Sequence, residues 1–344
     1  MIRFDSDYVQ STHPRILERL QETSGTEYPG YGTDEHSKRA IEYIRAACAA
    51  PLADVHFLMG GTQANLTLIS ALLRPHQGVI SADTGHISTN EAGAIEATGH
   101  KVLTVPNRAG KLTAEQVRTV VDNHRASRIR EHVVQPGLVY ISHPTESGTV
   151  YTRSELEAIS AVCREKGLPL MMDGARLGYG LAAVGTDMTL ADIARLCDVF
   201  YIGGTKVGAL FGEAAVFPNP KLSEEFRYSI KQHGGLLAKG FLLGLQFECL
   251  FEDGLYFELS RHGVGEATRL RQGMRELGIA LQYDTGANQV FPRLPNGLVQ
   301  AIAKDFAFHQ WEKSNDTETV IRLCTSWSTK RESVETLLSA IKRG

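Results

Sequence analysis

Between about residue 55 and residue 215, short apolar runs alternate with longer amphipathic stretches, and this rhythm constrains the fold more than any other feature of the chain. Strands joined by crossover helices produce such a rhythm, and they assemble into a mainly parallel sheet. The runs Val55–Met59, Gly78–Ser81, Lys101–Val105, Gly137–Ser142, Leu168–Met172, Val199–Ile202 and Ala214–Phe217 predict seven strands. Several lack alternation, as strands covered by helices on both faces do. Ala64–Leu73, Thr113–Asn123, Arg153–Lys166 and Thr189–Leu196 read as helices. In the third, Leu156, Ile159 and Val162 recur at helical spacing, with Glu155 and Glu157 in the first turns. The expectation is an α/β fold with helices on both faces of the sheet.

After Asn219 the texture becomes mostly helical through about Leu277. Strand-like IALQYD and NQVFPRLP follow, then a helix near Gln300, the run VIRLCTSW and a last helix over Arg331–Ile341. This predicts a smaller C-terminal α+β domain. A chain of 344 residues suggests two domains at about 150 residues each. The expected division is an N-terminal segment, 1–30, packing with the small domain, a large α/β domain, 31–220, and the small domain, 221–344.

The 36 Lys plus Arg nearly balance the 39 Asp plus Glu, which speaks against partnership with nucleic acid or an anionic membrane and leaves a small molecule as the expected partner. Cys48, Cys163, Cys197, Cys249 and Cys324 are scattered without C-x-x-C spacing, so no disulfide framework and no metal site is expected. The opening MIRFDSDYVQ has no basic stretch followed by an apolar one, and no apolar run reaches the roughly 18 residues of a membrane span, which predicts a cytoplasmic protein.

Three stretches fall at the carboxyl ends of predicted strands, where open α/β sheets bind ligands. MGGTQAN, 59–65, opens an apolar helix. Its glycines allow close approach, Thr62 adds a hydroxyl and the helix N-terminus presents free N–H groups, so it reads as a phosphate cradle or as a plain tight turn. In LPLMMDGARLG, Asp173 ends a strongly apolar strand and needs a cationic or N–H partner; a helix cap or an ion pair with Arg176 would serve. In DVFYIGGTKVGALFG, Lys206 sits among Gly203, Gly204, Thr205 and Gly208. It is either a solvated surface charge or a desolvated amine able to attack a carbonyl. Together a cradle, a strand-end Asp and a Gly-flanked Lys are the parts that hold pyridoxal phosphate: the Lys for a Schiff base, the Asp for the pyridine nitrogen, Thr62, Thr205 and backbone N–H groups for the phosphate. A nucleotide loop fits poorly, because G-x-G-x-x-G and G-K-[ST] are both missing.

The stretches FDSDYV at 4–9, GGTQAN at 60–65, HISTNEAGA at 86–94, MDGARLG at 172–178 and GGTKVGA at 203–209 resemble the threonine aldolase and β-eliminating lyase family of fold-type I pyridoxal-phosphate enzymes. The likeness runs from Ser6 to Trp327. It implies that Lys206 carries the cofactor as a Schiff base, that Asp173 faces the pyridine nitrogen and that His86 stacks on the ring. It further implies cofactor contacts from Gly61, Thr62, Gln63, Arg176 and Thr205, a second active-site histidine at His132, and a substrate carboxylate gripped by Arg176, Arg322 and Ser6. Where the aldolases carry Glu-Asn-Thr-His before a glycine, this chain has HPTESG at 143–148, with Glu146 in the place of the histidine.

The activity so implied is cleavage of L-threonine, L-allo-threonine or a related β-hydroxy-α-amino acid to glycine and an aldehyde, with His132, His86 or water as the base. β-Elimination and transamination on the same cofactor are the alternatives, and a catalytically silent binding module is a further one against which the retention of Lys206 and Asp173 argues. A homodimer or homotetramer with active sites at the subunit interface is also implied, with Lys231, Lys239 and Tyr31 as contributors from the neighbouring chain.

Overall fold

In a computed structural model the chain forms a seven-stranded sheet flanked by helices and a smaller sheet toward the C-terminus. The structure describes residues 1–313 and 315–343, so Gly344, the last residue of the expected small domain, lies outside it. The strands are β1 (Asp54–Leu58), β2 (Gln77–Ala82), β3 (Val102–Val105), β4 (Gln135–Ser142), β5 (Leu170–Asp173), β6 (Val199–Gly203) and β7 (Glu213–Phe217). Their order across the sheet is β1-β7-β6-β5-β4-β2-β3, and β7 alone runs antiparallel to its neighbours.

Each strand divides its side chains between two cores because successive residues face opposite ways. From β4, Val139 and Ile141 enter one core while Leu138 and Tyr140 enter the other. From β6, Phe200 and Ile202 take the first side, Val199 and Tyr201 the second. Burial on both faces is why these strands read as continuous apolar runs. The crossover helices Ala114–Ala126, Arg153–Lys166 and Leu190–Leu196 each begin at a threonine whose side chain and the third helical residue close a reciprocal capping box. Gly167, left-handed at φ 72°, ends the second of them where a side chain would be strained.

The second body is built on Gln289–Val290, Arg293–Pro295, His309–Lys313 and Glu318–Cys324, antiparallel around the last of these. Its core joins Leu294, Ile321 and Leu323 to Val334 and Leu337 of the C-terminal helix. IALQYD, expected as a strand, instead runs irregularly beside 291–293 and is tied there by Gln282 N–H to Phe291 O and Arg293 N–H to Ala280 O.

The expected domain limits are corrected on two counts. Residues 2–4 do extend the small body, since Ile2–Arg3 pairs with Phe306–Ala307 and Phe4 is part of its core. The helix Pro14–Glu22, however, buries Ile16 in the large core. Residue 220 is not the boundary either. Helix Phe241–Phe251 packs on helix Glu35–Ala47, with Phe247 and Leu250 in the large core. The long helix Leu255–Glu276 gives Tyr256 and Leu259 to the large core and Leu270 and Met274 to the small one. One continuous helix therefore spans the change of domain, and no linker composition marks it.

Candidate active site

All the pieces converge on one edge of the large sheet. Asp173 is the last residue of β5 and pairs in register with Ser142, the last of β4, while Gly203 of β6 lies opposite Glu213 of β7, itself opposite Leu58 of β1. Gly60–Thr62 follow β1, His86 follows β2, Glu146 follows β4 and Lys206 follows β6. These residues line a single cavity of about 330 Å³, to which Tyr8, Arg176 and Phe211 also contribute.

Asp173 is buried at 5% exposure and would be costly there without partners. It accepts from the Tyr140 hydroxyl at 2.6 Å, Asn65 Nδ2 at 3.0 Å and the Ala175 N–H at 3.0 Å. Burial raises its pKa, but His86, Tyr140 and Tyr201 outweigh that and hold it below the usual carboxylate range. Asn65 also donates to Glu91 at 2.6 Å, and the same Glu91 oxygen accepts from His86 Nδ1 at 2.7 Å. The ring of His86 is thereby oriented with Nε2 turned away from Glu91. Burial works against its charge, yet Glu91, Asp173 and Glu146 raise its pKa overall.

Lys206 is partly buried, and burial with the nearby Arg176 cation pushes its pKa down against the pull of Asp7, Asp173 and Glu213. Glu213 accepts from Thr205 Oγ1 at 2.9 Å, and burial pushes its carboxyl up to about 8. The helix Gly61–Leu72 starts from Gly60 without a side-chain cap, which leaves its first-turn N–H groups for a ligand. A Cβ on Gly61 would stand 3.2 Å from the Tyr201 hydroxyl, so glycine keeps that approach open.

An uncapped helix N-terminus, a buried anionic Asp and a desolvated amine in one cavity fit pyridoxal phosphate: the first for its phosphate, the second for its ring nitrogen, the third for its aldehyde.

Not every expected site residue is here. His132 is corrected: it lies exposed just ahead of β4, at the amino edge of the sheet, with the roughly 23 Å length of that strand between it and Ser142. Proximity in sequence to the right strand placed it at the wrong end. Gln63 turns its side chain to the Met59 N–H and the His233 carbonyl, so it braces the loop and does not line the cavity. Arg176 lines the cavity, but its Nε and Nη2 grip Asp7 at 2.6 and 3.1 Å. Ser6 Oγ and Arg322 Nε, set back from that cavity, are buried donors without a partner. Arg322 stacks 5.3 Å over Trp311 and donates to the Asp5 carbonyl at 3.3 Å.

The residues that sequence reasoning missed are Asp7, Asn65, Tyr140, Tyr201 and Glu213. Tyr140 and Tyr201 carried a signal in the period of two, which puts them on the same sheet face as Met171 and Asp173. Asp7 had none, since its partner Arg176 is far away in sequence.

The fold and the site define a class, the α/β amino-acid enzymes with a lysine and an aspartate at the carboxyl edge of a mostly parallel sheet. Within it, the chain belongs to the beta-eliminating lyase family, which it matches over residues 4–296. It is 33% identical to the low specificity L-threonine aldolase of Pseudomonas sp. (strain NCIMB 10558), over 99% of this chain and 97% of that one. A threonine aldolase structure from Leishmania major superposes with a TM-score of 0.97 at 46% identity, covering 100% of this chain and 99% of that one. Thermus thermophilus aspartate aminotransferase shares the fold alone, at 18% identity and a TM-score of 0.73 over 100% of this chain and 91% of that one. No helix among the described residues is long and apolar enough to cross a membrane.

Proposed function

We propose that this chain is a pyridoxal-phosphate-dependent aldehyde-lyase that cleaves L-threonine, L-allo-threonine or a related β-hydroxy-α-amino acid into glycine and an aldehyde. The observation that carries the reading is likeness to threonine aldolases along essentially the whole chain, with Lys206 and Asp173 facing one cavity. When bound, the cofactor would supply an electron sink for the bonding pair left on Cα.

The rest falls to the protein. Lys206, its amine held toward the neutral form by burial, would hold the cofactor through its aldehyde. Asp173, held anionic by its three hydrogen-bond donors, would pair with the ring nitrogen and favour its protonated form. First-turn N–H groups at Gly61 and Thr62, with Thr205, would hold the phosphate, and His86 would pack against the ring. Arg322 and Ser6 grip the substrate carboxylate, supported by their unpartnered donors. Arg176 is steadied by Asp7 and presents its remaining nitrogen, Nη1.

A cytoplasmic homodimer or homotetramer is part of the proposal. Lys231 lies 5.0 Å over the Tyr31 ring beside exposed Tyr228, a basic and aromatic face suited to a neighbouring subunit.

The test is product identification from the loaded enzyme given L-threonine, L-allo-threonine and L-phenylserine. Glycine with the matching aldehyde is expected. Pyruvate and ammonia from L-serine, without glycine from any of the three, would move the protein to the eliminating lyases.

A further inference from the structure

We propose that Glu146 takes the proton from the substrate's β-hydroxyl, and that the hydroxyls of Ser142 and Tyr140 form a relay that accommodates it both charged and neutral. The inference rests on the aldolase reading above and assigns the base within it.

Glu146 lies four residues beyond the end of β4 and shares the cavity with Lys206, Asp173 and His86. Its side chain has one short polar contact, Ser142 Oγ at 2.9 Å. Ser142 Oγ is also 3.2 Å from the Tyr140 hydroxyl, which in turn is 2.6 Å from Asp173 Oδ2. Three contacts in series need three hydrogens. Asp173 is anionic, so the Tyr140 hydrogen must point to it. Ser142 has a single hydrogen for its two neighbours. When Glu146 is charged, Ser142 donates to it and the contact with Tyr140 has no hydrogen. When Glu146 is neutral, it donates to Ser142, Ser142 turns to Tyr140, and every contact in the chain carries one. A rotation of one hydroxyl therefore separates two hydrogen-bonded states of the same side chain.

The titratable and charged groups that act on Glu146 are His86 beyond β2, Tyr140 on β4, Tyr151 beyond it, and Asp173 and Arg176 at the end of β5. Burial and the Asp173 charge favour the neutral form, and His86 opposes them. A carboxylate so placed holds a proton more readily than one in water, which suits a base working near neutral pH.

In cleavage the proton leaves the β-oxygen for Glu146. The O–H pair becomes the second C–O bond of the aldehyde, and the Cα–Cβ pair remains on Cα, which is then protonated to give glycine. Proton count closes, because the hydrogen lost from oxygen equals the one gained at carbon.

The test uses Glu146→Gln, which still donates to Ser142 but accepts no proton. In the loaded enzyme kcat for aldehyde release should fall about 100-fold or more with KM little changed, and the acid limb of its pH profile should vanish. Exchange of the glycine α-hydrogen for deuterium, which involves no β-oxygen, should continue at the wild-type rate and also shows that the variant is folded. Independently of turnover, infrared titration of the unloaded wild-type protein should show a carboxylic-acid C=O band that grows as the pH falls and that Glu146→Gln removes, its midpoint lying above that of an ordinary glutamate. Ser142→Ala should shift the acid limb with a smaller loss of kcat. Wild-type aldehyde release by Glu146→Gln, or loss of glycine exchange in step with cleavage, would overturn the assignment. A wild-type enzyme that exchanges glycine yet releases no aldehyde would instead overturn the aldolase reading itself.

Discussion

Asp7 and Arg176 form a two-point ion pair at the mouth of the site, and Asn288 adds a third bond to the same carboxylate at 3.0 Å. Burial alone would raise the Asp7 pKa, but Arg176 and Lys206 bring it down from 3.8 to about 2. Because the folded value is depressed, the stabilisation is present above pH ~4 and disappears as pH falls through about 2; the shift corresponds to roughly 2 kcal/mol. Asp7→Asn should lower the unfolding free energy at neutral pH by about 3 kcal/mol, since it leaves a buried guanidinium unpaired. Denaturation of both proteins across that pH range should show the difference shrinking toward the acid end. A constant difference would mean that charge pairing is not its source. At this scale sequence reasoning reached Lys206, Asp173 and His86, each with recognisable neighbours, but not Asp7, whose role is created by a contact with Arg176 across the fold.

The elements place chemistry by ending where they do. Six strands run to the same edge, and residues at or just beyond the carboxyl ends of five of them enter the cavity; this logic was legible from the apolar runs and their glycines. It also explains the failure at His132, where strand β4 was found correctly and its direction was not applied. The helix Gly61–Leu72 depends on an open N-terminus against Tyr201. Gly61→Val should therefore weaken pyridoxal phosphate binding about tenfold or more, equivalent to about 1.4 kcal/mol, while the fold survives. Titration of visible absorbance measures it; unchanged affinity would place the phosphate elsewhere.

Over the whole molecule, the helix Leu255–Glu276 joins the two cores, and Asp7, just beyond the small-body strand Ile2–Arg3, reaches across to Arg176 of the large-domain site. The domain limit was not legible because a continuous helix carries it. Tyr228, 76% exposed, marks the face proposed to meet a second subunit. Tyr228→Asp should shift the protein toward the monomer in light scattering, and an unaltered oligomer would remove this face from the interface. The central claim is that Lys206 and its cavity break a carbon–carbon bond. Carbon-13 NMR of uniformly labelled L-threonine with the loaded enzyme tests it most directly. Glycine and acetaldehyde should appear one for one, and neither should form with Lys206→Ala. Labelled 2-oxobutanoate in their place, or undiminished cleavage by Lys206→Ala, would contradict it.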